Sequence, residues 1–440
     1  MVSSSATALL FSPSLNGHRQ VYAAVFAEFL VERGFAVVIA ASLSKNGRDR
    51  SYPQVDALKA TGRVRLIDIS GEPDHGLGMP LRTLVALASS VGAGATVLLE
   101  ADNHLPLLIE QARPGAPRIP GRRVGVFIRS TNFLHGDRST ASLRYRVGRV
   151  VRFPSEWPNN RRLFLEFLLP RFHLLDAALC LDESFVASHG VPYTWLPDIY
   201  RSLEPERRDI ENEASRWSEL VGEFLCRNVG RPVVLYYGTE QPRRGYDDLL
   251  KLAVEEQGCF IHCGERLARG EREANAQLRA ARSGYEVDVQ SLLATLRERG
   301  ALLETAEYIA SFRAADRFFR AASCVVLPYR RHYGSSGVML QALSAGRPVL
   351  VPDQGLMAQR VRSHMLGLTY KAGDWADLRY QFERLVRRPE NEFEASIRRF
   401  VGYFSREQTY SALSLAVSNA GPGAKLPGLG TPISEAVSGT

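Results

Sequence analysis

The sequence lacks a long apolar run, and this absence excludes a membrane-spanning helix. The most apolar stretch, LFLEFLLPRFHLLDAALC (163–180), is interrupted by Pro170 and by charged residues, whereas a span needs ~18–20 apolar residues. We interpret it as a core helix leading into a strand, with contact to a membrane surface as the alternative. The start, MVSSSATALLFSPS, has no basic segment before its short apolar run, so we expect no signal peptide.

Cysteines are few and irregularly spaced. The five are Cys180, Cys226, Cys259, Cys263 and Cys324. An odd number without regular spacing argues against a disulfide framework and favours a reducing, cytoplasmic compartment. Cys259 and Cys263 flank His262 in FIHCGER, which raises a metal site as one interpretation. No second ligand pair follows, so buried strand cysteines are the preferred interpretation.

Common nucleotide-binding motifs are also missing. The chain has no Walker motif and no G-x-G-x-x-G after its first strand, and VGAGAT (91–96) precedes a strand and has only two glycines. The formal charge of +8 suits an acidic ligand, an anionic membrane surface or a nucleic acid. The arginines are scattered and no aromatic–basic motif accompanies them, so we do not expect nucleic acid as a partner.

What is present is a repeated alternation of apolar strands and amphipathic helices. A length of 440 residues favours two domains, and the alternation predicts an α/β fold with parallel sheets. One series of strands ends with DAALCLD, and VPYTWLPD is interpreted as the exit from the domain. After a charged helical segment (203–230) the series restarts at RPVVLYYG. Two doubly wound units predict a cleft at the carboxyl ends of both sheets.

Two loops of the second unit carry the chemistry. GTEQPRRG (238–245) follows a strand and places two arginines in a turn, where guanidinium groups can grip phosphate oxygens. In YGSSGVMLQALSAGRPV (333–349) a helix begins with small residues that leave backbone amides open to an anion. A solvated surface and a simple helix cap are the alternatives for these two features taken singly.

These two loops resemble the C-terminal domain of the retaining glycosyltransferases of family 4, the group 1 type, which have the GT-B fold. The family's elements are G-R-x-x-x-x-K-G and E-x7-E followed by A-x-A-G-x-P-V, and LGLTYKAGDWADL (366–378) is similar to a third segment. The resemblance covers most of residues 231–385 and, more loosely, NGHRQ in the first half. It implies two Rossmann-like domains facing a central cleft. We expect an acceptor domain over 1–190, a donor domain over 191–395, terminal helices over 396–418 crossing back to the first domain, and a disordered tail over 419–440.

The resemblance also implies roles for individual residues. The residues implied to bind the donor diphosphate are Gly17, Gly238, Arg243, Arg244, Ser335, Ser336 and Gly337. The residues implied to bind the donor ribose and sugar are Gln341 and His18. The candidate catalytic residues are His135 and Tyr333. Asp102, Asn103 and His104 end a strand and are the candidate acceptor residues. No metal ligand and no cofactor are expected.

Besides Arg244, which stands where the family has a lysine, the chain departs from the family pattern at Thr239, Tyr333 and Gln341. Thr239 replaces the first arginine, with Arg243, Arg330 or Arg331 as candidates to compensate. Tyr333 and Gln341 replace the two glutamates. Gln341 can still accept a hydrogen bond from ribose, and Tyr333 can stack on the donor sugar or hydrogen-bond to it.

We therefore expect a metal-independent, retaining transferase that uses a UDP- or GDP-linked sugar. The acceptor would be a glycan, a lipid-linked glycan or a small molecule, and the protein would be a cytoplasmic monomer or weak dimer, with peripheral membrane contact if the acceptor is a lipid. A non-catalytic protein that binds a nucleotide sugar or glycan is the alternative, since both glutamates are missing. A sugar-nucleotide epimerase is the weaker rival, because the motif loops offer no paired carboxylates for acid–base work.

Overall fold

The structure is a computed structural model of the chain. It describes residues 6–15, 18–43, 53–70, 79–128, 164–190, 192–199, 208–238, 240, 242–264, 288–305, 309, 312–330, 332–389 and 391–417. The chain divides into two compact units. The first comprises Met1–Leu203 together with Phe404–Thr440, and the second comprises Glu204–Tyr403.

Short parallel strands alternate with helices through both units. The strands are β1 Thr7–Ser12, β2 Ala36–Ala41, β3 Val64–Asp68, β4 Ala93–Leu98, β5 Arg122–Phe127, β6 Ala177–Cys180, β7 Tyr193–Trp195, β8 Val233–Tyr237, β9 Cys259–Cys263, β10 Leu302–Glu304, β11 Val325–Val326, β12 Val349–Pro352 and β13 Gly367–Tyr370. The helices are α1 His18–Glu32, α2 Pro53–Lys59, α3 Leu81–Ser90, α4 Leu105–Glu110, α5 Leu169–Arg171, α6 Glu183–His189, α7 Arg208–Arg227, α8 Tyr246–Glu255, α9 Val289–Glu298, α10 Phe312–Ala321, α11 Gly337–Ser344, α12 Gly355–His364, α13 Trp375–Val386, α14 Glu394–Gly402 and α15 Arg406–Val417.

The first unit is built on one seven-stranded parallel sheet. Its strand order is β3-β2-β1-β4-β5-β6-β7, so the direction of strand addition reverses between β1 and β4. Successive side chains of β1 enter different cores: Leu9 and Phe11 belong to one buried cluster and Leu10 to another. A strand that is buried on both faces is an almost continuous apolar run, as TALLFS is.

The helices of this unit follow from local sequence signals. Leu81, Leu84 and Ala88 are the buried residues of α3, at the spacing of one helix face. Asp182 caps α6 by accepting hydrogen bonds from the amides of Ser184 and Phe185, both at 3.0 Å. The apolar stretch before β6 is helical, as expected: Phe164–Leu168 form a π-helical turn that α5 continues.

The interpretation of VPYTWLPD as an exit segment was wrong. Tyr193–Trp195 form β7, which pairs in parallel with β6 at the edge of the sheet. The strand has only three residues, and a period-2 pattern cannot be recognised over so short a length. The first unit therefore continues to Leu203 before the chain enters the second.

The last helix, α15, packs on the first unit. Arg406 forms ion pairs with Glu28 at 3.1 Å and Glu32 at 2.6 Å on α1. Arg122 of β5 donates to the carbonyl of Ala416 at 2.5 Å. Leu413 is fully buried and belongs to the core cluster that also contains Leu10. Apolar burial and ion pairs thus tie a segment that is distant in sequence to the first sheet.

The second unit contains two three-stranded parallel sheets, β10-β9-β8 and β11-β12-β13. The amide of Val233 in β8 donates to the hydroxyl of Ser323, two residues before β11, at 3.1 Å. This contact places β8 beside the start of β11, so the unit has the strand arrangement of a Rossmann-like domain with its reversal between β8 and β11. Loops at such a reversal, at the carboxyl ends of the strands, form ligand sites in α/β proteins.

All five cysteines lie among the described residues. Cys180, Cys259, Cys263 and Cys324 are buried and Cys226 is exposed, and none of these five described residues forms a disulfide. In β9, Cys259 and Cys263 share one face while His262 faces the other, because side chains alternate along a strand. The geometry therefore does not support a metal site formed by these cysteines and His262.

No helix within the described ranges has the length and apolar character needed to cross a membrane.

The anchoring of α15 gives a first testable prediction. We expect Leu413→Ala to lower the free energy of unfolding of the first unit by about 2–4 kcal/mol, because it removes a fully buried side chain and leaves a cavity. Hydrogen exchange should show faster exchange of the amides of β1, β5 and β6 than in the wild type. Leu415→Ala, two residues away and only half-buried, is the matched control. Equal acceleration in β8 and β9 would contradict the assignment of α15 to the first unit.

Candidate functional site

The start of α11 is one half of the candidate site. Ser336 is the N-cap residue, and its hydroxyl accepts a hydrogen bond from the amide of Met339 at 3.3 Å. The first amides of an α-helix have no partner within the helix, and the helix dipole adds partial positive charge there. Gly337 is exposed and has open space where a Cβ would stand. The helix start is therefore accessible to an anion.

A buried cation stands behind this helix start. Nη1 of Arg360 donates to the hydroxyl of Ser335 at 2.8 Å, and Arg360 is only 1% exposed. A hydroxyl oxygen that accepts from a guanidinium directs its own hydrogen elsewhere, so the Ser335 hydroxyl hydrogen points away from Arg360. Arg360 was missed in the sequence, although a charged residue among the buried apolar residues of α12 was a usable signal.

The loop after β8 is the other half. Pro242–Arg244 form a 3-10 turn. Nη1 of Arg244 lies 3.4 Å from the carbonyl oxygen of Tyr237, so the guanidinium sits over the end of β8. A Cβ on Gly238 would stand 2.4 Å from that Nη1, and Gly238 has a φ of +102°. Glycine is thus required at this position for Arg244 to approach the strand end.

The two loops are joined directly. The amide of Arg330 donates to the carbonyl of Arg243 at 2.8 Å, and Nη2 of Arg330 lies 3.0 Å from both carboxylate oxygens of Asp248. A Cβ on Gly245 would stand 2.6 Å from Pro328, which shows how closely the loops pack. The expectation that Arg330 supplies a missing phosphate cation is weakened, because its charge is paired with Asp248.

Gln341 lies one turn into α11. Its Oε1 is buried and, within the described part of the chain, has no hydrogen-bond partner. A buried acceptor without a partner is unusual in a folded protein and calls for a donor from outside. Gln341 is four residues after Gly337, so both lie on one side of the helix. The structure thus places Gln341, which is predicted to bind ribose, on the same helix face as the accessible helix start at Gly337.

Tyr333 lies in the loop that precedes α11. Its carbonyl oxygen accepts from the amide of Leu356 at 2.8 Å, which fixes the loop against the start of α12. Tyr333 lines a cavity of about 400 Å³ in this unit. The residue is therefore held at the carboxyl ends of the strands, and its contact with the donor sugar stays a prediction.

A buried cluster that the sequence did not indicate lies beside the loop after β8. His262 of β9 is fully buried, with its Nδ1 4.0 Å from Oε1 of Glu240. The rings of Tyr236 and Tyr246 lie 5.4 and 5.3 Å from the His262 ring. Glu240 belongs to GTEQPRRG, so the loop that carries the arginines approaches this cluster through the Glu240 carboxylate. The signal was a carboxylate in a motif position that the family pattern leaves variable.

In the first unit, the candidate acceptor residues follow β4. One carboxylate oxygen of Asp102 accepts from the amide of Ile128 at 2.6 Å. Asn103 donates to Glu100 at 2.7 Å, and Glu100 pairs with Arg19 at 2.8 Å. These residues lie where the strand order reverses between β1 and β4. These hydrogen bonds of Asp102 and Asn103 therefore hold the segment that follows β4 in place.

His104 is the unusual member of this group. It is 1% exposed, and neither ring nitrogen has a hydrogen-bond partner among the residues that the structure describes. Its ring lies 5.0 Å from that of Phe11. Burial lowers the pKa of His104 to about 4, while the Glu100 carboxylate opposes this shift. His104 is therefore a neutral imidazole at pH 7.

Several predicted positions lie outside the described residues. These are Gly17, Thr239, Arg331 and His135. His18 is the first residue of α1, and its side chain is not among those described. The assignments made for these positions remain predictions.

Comparison with protein families supports the resemblance found in the second half of the chain. Residues 231–388 match the family model of the group 1 glycosyl transferases. This range contains both loops of the candidate site, and it confirms the predicted resemblance there. A search of curated protein sequences returned no significant match.

Solved structures extend the likeness to both units. A glycosyltransferase from Rickettsia africae is similar over 95% of this chain and 100% of its own, with 9% identity and a TM-score of 0.56. Sucrose-phosphate synthase from Thermosynechococcus elongatus is similar over 94% and 96%, with 14% identity and a TM-score of 0.55. The Anabaena protein HepE, solved in complex with UDP, is similar over 94% and 96%, with 13% identity and a TM-score of 0.55. At these identities the likeness shows the fold, and the predicted α/β class of GT-B type is confirmed.

The neutral His104 gives a second prediction. His104 takes up a proton near pH 6.5 in the unfolded chain and only near pH 4 in the folded chain. The stability that this difference contributes is therefore fully present above pH 6.5 and is lost as the pH falls toward 4. The loss amounts to about 3 kcal/mol. We expect His104→Asn to flatten this dependence relative to the wild type. The measurement is the thermal midpoint between pH 4 and 7.5, and parallel curves for both proteins would contradict the prediction.

Proposed function

We propose that the protein transfers a sugar from a UDP- or GDP-linked donor to an acceptor, with retention at the sugar carbon and without a metal ion. The observation that carries this proposal is the cationic seat in the second unit. It combines the accessible start of α11, Ser335 oriented by buried Arg360, and Arg244 over the end of β8. The Arg330–Arg243 bond joins the two loops that carry it.

The seat suits the chemistry of a departing nucleoside diphosphate. Negative charge builds on the β-phosphate as the bond to the sugar breaks. Helix amides, hydroxyl donors and a guanidinium that are already in place stabilise this charge without reorganising during the reaction. Because these groups are cationic or hydrogen-bond donors, they can act on the diphosphate directly, and this is why the proposal includes transfer without a metal ion.

The missing glutamates leave two roles to be filled. Gln341 offers a buried acceptor oxygen for a ribose hydroxyl. Tyr333 offers a ring and a phenol to the donor sugar. Neither supplies a negative charge near the sugar carbon, so most of the catalytic effect would come from leaving-group stabilisation and positioning. Retention is proposed from the resemblance to the family.

The relatives support the choice of donor. HepE has been solved with UDP and with UDP-glucose, and the model of the group 1 glycosyl transferases covers the whole seat. The carboxyl end of β4 in the first unit, with neutral His104 beside the Glu100–Arg19 pair, is the proposed acceptor side. The acceptor would be a glycan, a lipid-linked glycan or a small molecule, and we propose a cytoplasmic monomer or weak dimer that contacts a membrane only when the acceptor is a lipid.

One observation favours a second candidate function. Both glutamates of the family motif are absent at Tyr333 and Gln341. A protein that binds a nucleotide sugar or glycan without transferring it would tolerate this loss. It would have no need, however, for a seat that stabilises a leaving group, and the seat is intact in the described residues.

Calorimetry with UDP and GDP, in the presence of a chelator, tests the donor site. We expect at least one of them to bind below the millimolar range. Arg244→Ala should weaken that binding by about 1.5–3 kcal/mol, the scale of a hydrogen bond to a charged group. Arg387→Ala is the matched control, since Arg387 is exposed at the C-cap of α13 and, among the described residues, pairs with Glu383 one turn earlier.

The proposal fails if neither nucleotide binds, or if both arginine variants behave alike. Gly238→Ala offers an independent check of the geometry. Its new methyl group would displace the Arg244 guanidinium, so it should weaken binding in the same direction as Arg244→Ala.

A further inference from the structure

The described part of the chain exposes large apolar side chains at five positions, and two of them lie close together. Phe167 is 39% exposed and Phe172 is 46% exposed, and both belong to the short helical segment before β6. Single exposed apolar residues are normal on a protein surface, whereas neighbouring ones mark interaction sites. The other three positions are Val229, Met365 and Tyr380, which lie in three different parts of the second unit.

The helical segment is fixed to the first unit by its opposite side. Phe164, Leu165 and Leu169 are at most 1% exposed and belong to one core cluster. The phenol of Tyr193 in β7 donates to the carbonyl of Leu165. Because these residues hold one side of the segment in the core, Phe167 on the other side cannot turn inward without unpacking it.

The backbone of this segment is irregular at both ends. It begins with the π-helical turn Phe164–Leu168, and single π-helical turns occur mostly at functional sites. Phe172 is the C-cap residue of α5. The next residue, His173, has a φ of +47°, and the amide of Leu174 donates to the carbonyl of Leu169 at 3.4 Å. The chain therefore turns back toward β6 directly after Phe172, which leaves this ring at the end of the segment.

Arg171 adds a cation to the same surface. It is exposed and, within the described residues, forms no ion pair and no hydrogen bond. The nearest carboxylates in the sequence have partners of their own: Glu166 lies 3.6 Å from His189, and Asp176 lies 2.7 Å from Arg123. Residues four or five apart on a helix lie one turn apart, so Phe167, Arg171 and Phe172 together form one surface, which we call the aromatic patch.

The sequence that leads into this segment is basic as well. Residues 129–162 contain eight arginines and two acidic residues, Asp137 and Glu156, and the whole chain has a formal charge of +8. Clustered basic residues are attracted to anionic lipids over about one Debye length, ~8–10 Å. Exposed aromatic side chains and an excess of positive charge therefore occur in the same part of the sequence.

From this combination we propose that the aromatic patch binds an anionic lipid bilayer, with Phe167 and Phe172 inserted at its interface and Arg171 against the lipid phosphates. Aromatic and basic side chains are the types that favour the boundary between headgroups and acyl chains. The inference rests on the proposed function only for its biological role, because membrane contact was tied there to a lipid acceptor. Binding to lipid itself needs neither nucleotide nor transfer.

Co-sedimentation of the full chain with vesicles tests the aromatic patch without nucleotide. The vesicles contain phosphatidylcholine and phosphatidylglycerol in equal parts, and vesicles of phosphatidylcholine alone serve for comparison. We expect saturable binding to the mixed vesicles and binding at least about tenfold weaker to the neutral ones. Added salt should weaken binding to the mixed vesicles, because it screens exposed charges.

Two double variants locate the apolar part of the contact. Phe167→Ser combined with Phe172→Ser should weaken binding to the mixed vesicles at least about tenfold, because two aromatic side chains no longer enter the interface. Val229→Ser combined with Met365→Ser also removes two exposed apolar side chains, and it should bind as the wild type does. All four positions are exposed, so the thermal midpoints of both variants should stay close to that of the wild type.

A second pair tests the charge. Arg171→Gln should weaken binding to the mixed vesicles about fivefold, the effect of one basic residue near an anionic surface, and it should leave binding to the neutral vesicles unchanged. Arg399→Gln is the matched control, since Arg399 is also exposed and lies on α14 of the second unit.

Three results would overturn the proposal: no binding to the mixed vesicles, equal binding by the two double variants, or equal binding to mixed and neutral vesicles. Self-association that the Phe167→Ser, Phe172→Ser variant loses, without vesicle binding, would assign the aromatic patch to a second copy of the chain and would overturn it too. UDP and GDP binding in the same samples reports on the donor site separately. A chain that binds UDP but no vesicles loses the membrane surface and keeps its proposed donor, and a chain that binds vesicles but neither nucleotide keeps the surface and loses the donor.

Discussion

Arg330 holds together the two loops on which the whole candidate site depends. Its guanidinium lies 3.0 Å from both oxygens of Asp248, and its amide donates to Arg243 at 2.8 Å. One residue thus fixes the loop after β11 to the loop after β8 and to the start of α8. Charged hydrogen bonds of this kind are shorter and stronger than neutral ones. The position of Arg244 relative to the start of α11 follows from this junction.

The helix start beyond this junction carries the positive end of a helix dipole, and Arg360 donates to the Ser335 hydroxyl behind it. The loop that contains Tyr333 also borders a cavity of about 400 Å³ at the carboxyl ends of β11, β12 and β13. A charged and an uncharged part of one ligand can therefore meet the same loop.

Much of this was predictable from the sequence, because turns and helix starts carry local signals. GTEQPRRG and YGSSGVML identified the two loops, and the alternation of apolar runs identified most of the strands. β7 was missed because three residues are too few to show a period. Arg360 and the Glu240–His262 contact were missed because they depend on which side chains meet across the unit. Periodicity reports the face of an element, whereas the partner across the core is set by packing between elements that are distant in sequence.

The central claim is that the cationic seat drives sugar transfer although both motif glutamates are missing. The most direct measurement is the release of UDP or GDP from a panel of nucleotide sugars, followed by NMR with a chelator present. The account predicts slow release from at least one donor, reduced at least about tenfold in Arg244→Ala, since one charged contact is worth more than 1.4 kcal/mol. A donor that binds but stays intact on prolonged incubation, in the wild type as in the variant, would contradict transfer and identify a binding protein.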